Sequence, residues 1–261
     1  MDIIFNKFIP SSDLKKISMA EVKLYVPKDK YYLKNNLNKY NGKYYYVKDV
    51  TTFELLNELI GSYLAHKIDL DTVDYQIVKE DGKTFRLMSL CFYDLLYRYY
   101  HAFEIGPLTT NVINESLKGN AVPKKYEKIV SNLLKLIALD LKMGQADRNP
   151  KNVIIRESKI NKNNINLSRA FDYGYSYTTR NDGNDMYYEN PYIAVRKDAD
   201  SISNFAYINP NIKEFIYILK SISIEDVLSE ISSMYDILIP DDVKTYYKKK
   251  DAANNELFRK I

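Results

Sequence analysis

Gly144-Gln145-Ala146-Asp147-Arg148-Asn149-Pro150-Lys151-Asn152 runs straight into the apolar triplet Val153-Ile154-Ile155. Twenty residues after Asn152 a second acid stands in Ala170-Phe171-Asp172-Tyr173-Gly174. An Asp, an Asn five residues later and a downstream Asp-x-Gly have the spacing of a phosphoryl-transfer site. Such chemistry needs one carboxylate at the attacking hydroxyl, and a carboxamide and second carboxylate as hard oxygen ligands for Mg²⁺. The spacing makes Asp147 the candidate base, and Asn152 and Asp172 the candidate metal ligands. Each half alone reads more readily as ordinary loop residues beside a buried strand; both halves in this order favour chemistry. The glycine after Asp172 and Tyr173 is expected to permit a backbone turn.

Outward from this stretch, the strongest helix of the chain precedes it at 126–143. Ile129, Val130, Leu133, Leu134, Ile137 and Leu141 form its apolar stripe, and Gly144 ends it. Further upstream, the same chemistry requires a strand lysine and a helix glutamate. Lys48 closes Tyr45-Tyr46-Val47-Lys48 on a predicted strand at 43–50 that follows an Asn41-Gly42 turn. Thr51-Thr52 caps a predicted helix at 53–66 that carries Glu58 and, one turn earlier, Glu54; Glu58 is the preferred partner. Other strands are predicted at 21–26, 73–79 and 83–92, the last two joined by a turn at 80–82. Ser89 and Leu90 fall where the last strand would continue into a hinge whose backbone meets adenine. From about residue 93 the pattern turns helical. Helices are expected at 211–220, at 224–235 with Ser223 and Asp226 resembling a capping box, and at 243–260. Loops are expected at 158–166 and 178–190. The architecture is therefore α+β and bilobed, with a small β-rich N-lobe at 1–92 and a larger helical C-lobe at 93–261.

Composition narrows the function further. Of 261 residues, 46% are hydrophobic and 28% charged, the balance of a globular chain rather than a disordered one. A single cysteine, Cys91, excludes a disulfide framework, a Cys-based zinc site and an iron–sulfur cluster. His66 and His101 are the only histidines and are read as structural or exposed. A net charge of +4 gives no argument for direct nucleic-acid binding. Neither a secretory signal nor a membrane-spanning run is visible, so a cytoplasmic chain without membrane attachment is expected. The aromatic balance is skewed: 25 Tyr, 10 Phe and no Trp leave tyrosine to do the aromatic packing.

The stretch at 144–152 is similar to the G-N-x-D-x-H-x-K-N motif of HipA-like kinases, with Gln145 at the family's asparagine and Asn149 at its histidine. Asn57-Glu58 with Leu64-Ala65 resembles that family's helix after the nucleotide lysine. Ser18-Met19-Ala20-Glu21-Val22-Lys23-Leu24 resembles its phosphate-loop segment S-x-G-x-Q-x-K, with Ala20 at the glycine. The resemblance implies a protein kinase-like fold, related to that of phosphatidylinositol 3-/4-kinases, and an ATP- and Mg²⁺-dependent Ser/Thr protein kinase. It makes Asp147 the base, Asn152 and Asp172 the metal ligands, and Lys48, supported by Glu58, the nucleotide lysine. Ser18 and Lys23 join the nucleotide site, and Lys151 becomes a secondary phosphate or substrate contact. It also implies the toxin role of a toxin–antitoxin pair, a helix-turn-helix antitoxin as partner, and an aminoacyl-tRNA synthetase or other translation factor as protein substrate. A lipid or small-molecule kinase on the same core, suggested by Asp147-Arg148, and an idle nucleotide-binding module are the alternatives.

Overall fold

The computed structural model of the chain describes residues 3–5, 8–17, 37–79, 85–91, 93–94, 96–177 and 187–261. The predicted strand at 21–26, the turn at 80–82, Ser18 and Lys23 lie outside the described residues. In chain order, the strands that precede the first helix are β1 (Ile4–Phe5), β2 (Ile9–Pro10), β3 (Lys15–Lys16), β4 (Leu37–Tyr40) and β5 (Lys43–Asp49). Helix α1 (Thr52–Lys67), β6 (Tyr75–Lys79), β7 (Phe85–Leu90), β8 (Tyr97–His101) and α2 (Pro107–Leu117) come next. Then follow α3 (Glu127–Met143), β9 (Ile154–Ser158), β10 (Ile165–Leu167), β11 (Tyr187–Asn190) and β12 (Ile193–Arg196). The chain closes with α4 (Ala199–Ile208), α5 (Asn211–Ser221), α6 (Ile224–Tyr235), β13 (Ile237–Leu238) and α7 (Asp241–Asn255).

A mixed sheet in the order β2-β6-β7-β5-β4-β3 forms the first half. Asn41 and Gly42 both have positive φ, 46° and 77°, the twist that lets a two-residue turn join β4 to β5. Residues opposite each other across antiparallel strands share a face. Tyr45, Val47, Val78 and Met88 therefore pack together on one side of the sheet. Lys48, Leu87 and Ile77 lie on the other side, the one that α1 covers. That side belongs to a core continuing through Leu55, Leu59, Ile137, Leu141, Ile216 and Ile231, so α1 is sandwiched between the sheet and the helices of the second half. β1 pairs antiparallel with β13 from near the other end of the chain.

Several sequence expectations require correction. The second half opens with a strand rather than a helix: Tyr97-Arg98-Tyr99-Tyr100-His101 pairs with β9, an aromatic run well suited to a half-buried sheet. The polar stretch expected as a loop at 178–190 contains β11, which pairs with β12. The helix expected at 243–260 begins at Asp241 and stops at Asn255, followed by a short 3₁₀ turn, Glu256–Phe258. Ser223 caps α6 by accepting from the Glu225 amide. Two helices were not foreseen. Pro107 stands at the first turn of α2, where its missing N–H is not needed. Asp198 caps α4 by accepting from the amides of Asp200 and Ser201. Among the described residues, no helix is long and apolar enough to cross a membrane.

Candidate active site

Chain geometry brings Lys48 and Glu58 together. Glu58 lies six residues into α1, about 9 Å along its axis at ~1.5 Å per residue. Lys48 lies four residues before the helix start, at most roughly 13 Å back along an extended chain, and the turn at Val50-Thr51 folds one length onto the other. The result is a Lys48 Nζ–Glu58 Oε1 contact of 2.5 Å. Glu54, only about 3 Å along α1, closes a capping box with Thr51 instead: its Oε2 accepts from the Thr51 amide at 2.7 Å, and Thr51 Oγ1 accepts from the Glu54 amide at 3.2 Å. Glu58 is fully buried and fully partnered. Its Oε2 accepts from Tyr75 Oη at 2.7 Å and from the Tyr173 amide at 2.9 Å, and its Oε1 also accepts from the Gly174 amide at 3.2 Å.

The turn at Asp172 completes the cluster. Lys48 Nζ stands 3.1 Å from Asp172 Oδ1, so one ammonium bridges a buried and a partly exposed carboxylate. The left-handed backbone here is at Asp172, φ 62°, and not at Gly174 as the Asp-x-Gly pattern suggested. Gly174 has no positive φ, and a Cβ there would meet Glu58 Oε1 at 3.4 Å, an ordinary van der Waals contact. The segment leading into the turn is docked on the strip before β6, where the Ala170 carbonyl accepts from Thr72 Oγ1 at 2.8 Å and from the Val73 amide at 3.1 Å. Tyr173 is completely buried against α1 at Gly61, and burial pushes its phenol well above the usual range.

The loop after α3 faces this turn. Gly144 ends α3 in the left-handed conformation, φ 61°. The buried Gln145 side chain donates to the Asp172 carbonyl at 2.8 Å and accepts from the amides of Ala146 and Asp147 at 2.9 and 3.2 Å. One carboxamide thus ties the loop bearing Asp147 to the turn bearing Asp172. Asn149 Nδ2 donates to Asp147 Oδ1 at 2.9 Å, so this bond engages one of the two carboxylate oxygens. Asn152 Nδ2 donates to the Asp147 carbonyl at 3.0 Å, which orients its Oδ1 as the remaining acceptor. Arg148 turns inward, with both its side chain and that of Asp140 fully buried. Its Nε and Nη2 bind the two Asp140 oxygens at 3.0 and 2.8 Å, and Nη1 donates to the Phe171 carbonyl at 2.6 Å. Burial works against the charge of Arg148, but Asp140 more than offsets this and holds its pKa above the ordinary range. The same Nη1 reaches the Asn152 carbonyl at 3.5 Å, placing the two candidate metal-ligand segments on one guanidinium.

No protein-family model matches the sequence, and no curated protein sequence matches it. Solved structures do. The Helicobacter pylori proinflammatory kinase CtkA aligns over 85% of this chain and 92% of its own, at 10% identity and TM-score 0.56. Shewanella oneidensis MR-1 HipA, from a toxin–antitoxin system and solved with HipB and operator DNA, aligns over 96% and 73%, at 15% identity and TM-score 0.53. The fold is that of a HipA-like kinase.

Within this HipA-like fold, Lys48, Glu58, Asp147, Asn152 and Asp172 come from three separate segments and share one network. Lys151 is exposed, one residue before Asn152, and its carbonyl takes a bond from His101 Nδ1 at 3.0 Å, which gives His101 a structural role. Ser89 sits on the Lys48 face of β7, two residues from Leu87, the partner of Lys48 across the ladder. Leu90 points to the opposite face, against the Tyr45–Met88 cluster. Sequence reasoning missed Gln145 as a tether and the Asp140–Arg148 pair. The signal for the pair was present: an acid inside Leu139-Asp140-Leu141, on an otherwise apolar helix, demands a buried cation.

Proposed function

We propose that the chain is an ATP- and Mg²⁺-dependent kinase that phosphorylates a Ser or Thr hydroxyl of a protein. The observation that carries this reading is Lys48 Nζ held between Glu58 Oε1 and Asp172 Oδ1, beside the loop bearing Asp147 and Asn152. The lysine–glutamate pair is the arrangement that a phosphoryl-transfer site requires before it can act.

The donor set fits a hard divalent cation: Asp172, 30% exposed at its side chain, and Asn152 Oδ1 offer only oxygen. Bound Mg²⁺–ATP would supply an electrophilic phosphoryl group with its charge partly neutralised. Asn152 Oδ1 and the Asp172 carboxylate would hold the metal, and Lys48 Nζ would meet the phosphate oxygens. Asp147 Oδ2 would take the hydroxyl proton, while Asn149 holds the other oxygen and so fixes the carboxylate plane. Lys151, exposed beside this loop, would contact phosphate or substrate. The backbone of Ser89 and Leu90 would border the adenine, and Ser18 and Lys23 would complete the phosphate site.

The lipid-kinase alternative drew on Asp147-Arg148, but Arg148 is buried against Asp140 and offers no cation to a head group. A toxin role with an antitoxin partner draws on likeness to HipA of a toxin–antitoxin system; the helix-turn-helix form of that partner and a translation-factor substrate rest on the resemblance at 144–152, and a cytoplasmic location on the sequence alone. The test is transfer of label from radioactive ATP to a lysate or to the chain itself. Transfer that depends on Mg²⁺ and disappears in Asp147→Ala is expected; undiminished transfer by Asp147→Ala removes Asp147 from the chemistry.

A further inference from the structure

Asp172 keeps a left-handed backbone, φ 62°, and a non-glycine residue stays there only when its surroundings hold it. Glu58 supplies half of that hold by taking the amide hydrogens of Tyr173 and Gly174. The residue before it supplies the rest. Asn57 Nδ2 donates to the carbonyls of Gly174 and Ser176 at 2.8 and 2.6 Å. Adjacent residues of one helix thus take the donors and the acceptors of the same turn.

A carboxamide rotated by half a turn would set its oxygen against those carbonyls. What fixes the orientation is Tyr247 on α7, whose hydroxyl donates to Asn57 Oδ1 at 2.7 Å across 190 residues of chain. Tyr247 is completely buried. Its ring stacks on Phe53 at 6.2 Å and meets Tyr177 edge-on at 5.3 Å. α7 grips the segment after the turn a second time: Tyr246 Oη donates to the Tyr177 carbonyl, and Asp251 accepts from Tyr177 Oη at 3.3 Å. Asp251 is itself anchored to α3 by the buried Lys142 at 2.8 Å.

We infer that Asn57 and Tyr247 are positioning residues for Asp172: through this relay, α7 sets the orientation of the candidate metal ligand and hence the affinity for metal. The inference rests on the nucleotide-kinase reading above and adds a control point remote from every ligand position.

Tyr247→Phe keeps the ring and removes only the hydroxyl. Mn²⁺, as a probe metal, is titrated into the protein with the non-hydrolysable analogue adenylyl imidodiphosphate and followed by electron paramagnetic resonance. Metal-free nucleotide affinity, phosphoryl transfer and melting temperature are measured alongside. Loss of one buried hydrogen bond corresponds to a roughly fivefold weaker Mn²⁺ affinity. Metal-free nucleotide affinity should be unchanged, and transfer lost at limiting Mg²⁺ should return at saturating Mg²⁺. Asn57→Asp, which sets a carboxylate against the same carbonyls, should weaken Mn²⁺ more than tenfold. A Tyr247→Phe protein that melts lower yet binds Mn²⁺ as before overturns the inference and leaves the kinase reading standing. An unaltered protein that binds neither Mn²⁺ nor the nucleotide overturns both.

Discussion

Arg148→Met tests how the two candidate active-site loops are held together. Arg148 and Asp140 are both fully buried and joined by two bonds of 2.8 and 3.0 Å. Methionine fills much of the same space but leaves the Asp140 carboxylate with only the Tyr188 hydroxyl, at 2.8 Å, and the Phe171 carbonyl without its guanidinium partner. Removing one member of a buried ion pair costs about 3–5 kcal/mol. Against a total stability of roughly 5–15 kcal/mol, that is a large share. At about 2–4 °C per kcal/mol for a chain of this size, the melting temperature should fall by roughly 6–20 °C. The assay is calorimetry together with urea unfolding. Asp140→Leu with Arg148→Met removes both charges at once, and replacing a buried pair by apolar groups is often neutral. The double variant should therefore recover part of the loss, keeping the costs of the Tyr188 hydroxyl and the Phe171 carbonyl, each of which loses a partner, up to about 1–3 kcal/mol for a group left unpaired. Arg148→Lys should fall between, because a point charge cannot span two carboxylate oxygens and a carbonyl as the planar fork does. A melting temperature for Arg148→Met within about 2 °C of the parent, or a double variant no better than the single, would refute the reasoning.

Two further outcomes follow from the same packing. Gly61→Ala would place a Cβ 2.3 Å from Tyr173 Cγ, so the gain in helix propensity of about 1 kcal/mol is outweighed. The variant should unfold at lower urea and lose phosphoryl transfer as the ring displaces the Asp172 turn; equal stability and activity would count against this packing. Burial raises the phenols of Tyr75, Tyr177, Tyr188 and Tyr247 well above their ordinary value near 10. The unfolded chain then releases these protons first, so stability holds below about pH 10 and falls above it, by about 1.4 kcal/mol per pH unit for each tyrosine. Lys142, whose pKa burial lowers despite Asp251, works in the opposite sense up to its ordinary 10.5, a single group against four. Tyrosinate absorbance should therefore appear in one cooperative step with loss of helical circular dichroism; independent, gradual titration would contradict it.

What could be read directly from the residues was what local chemistry decides. Thr51-Thr52 announced α1, Asn41-Gly42 the hairpin, and Gly144 the end of α3, because capping and turn preferences act within a few residues. Pairing Lys48 with Glu58 was also legible, from the requirement of phosphoryl transfer for a strand lysine and a helix glutamate. The Asp-x-x-x-x-Asn and Asp-x-Gly spacings singled out the loops but not how they are joined. That joining was decided by tertiary structure: Gln145 reaching 27 residues to Asp172, Arg148 placed between Asp140 and Phe171, and Tyr247 reaching 190 residues to Asn57. No local periodicity encodes these bonds. They form because each buried polar group must find a partner, and only the folded chain determines which partner is within reach.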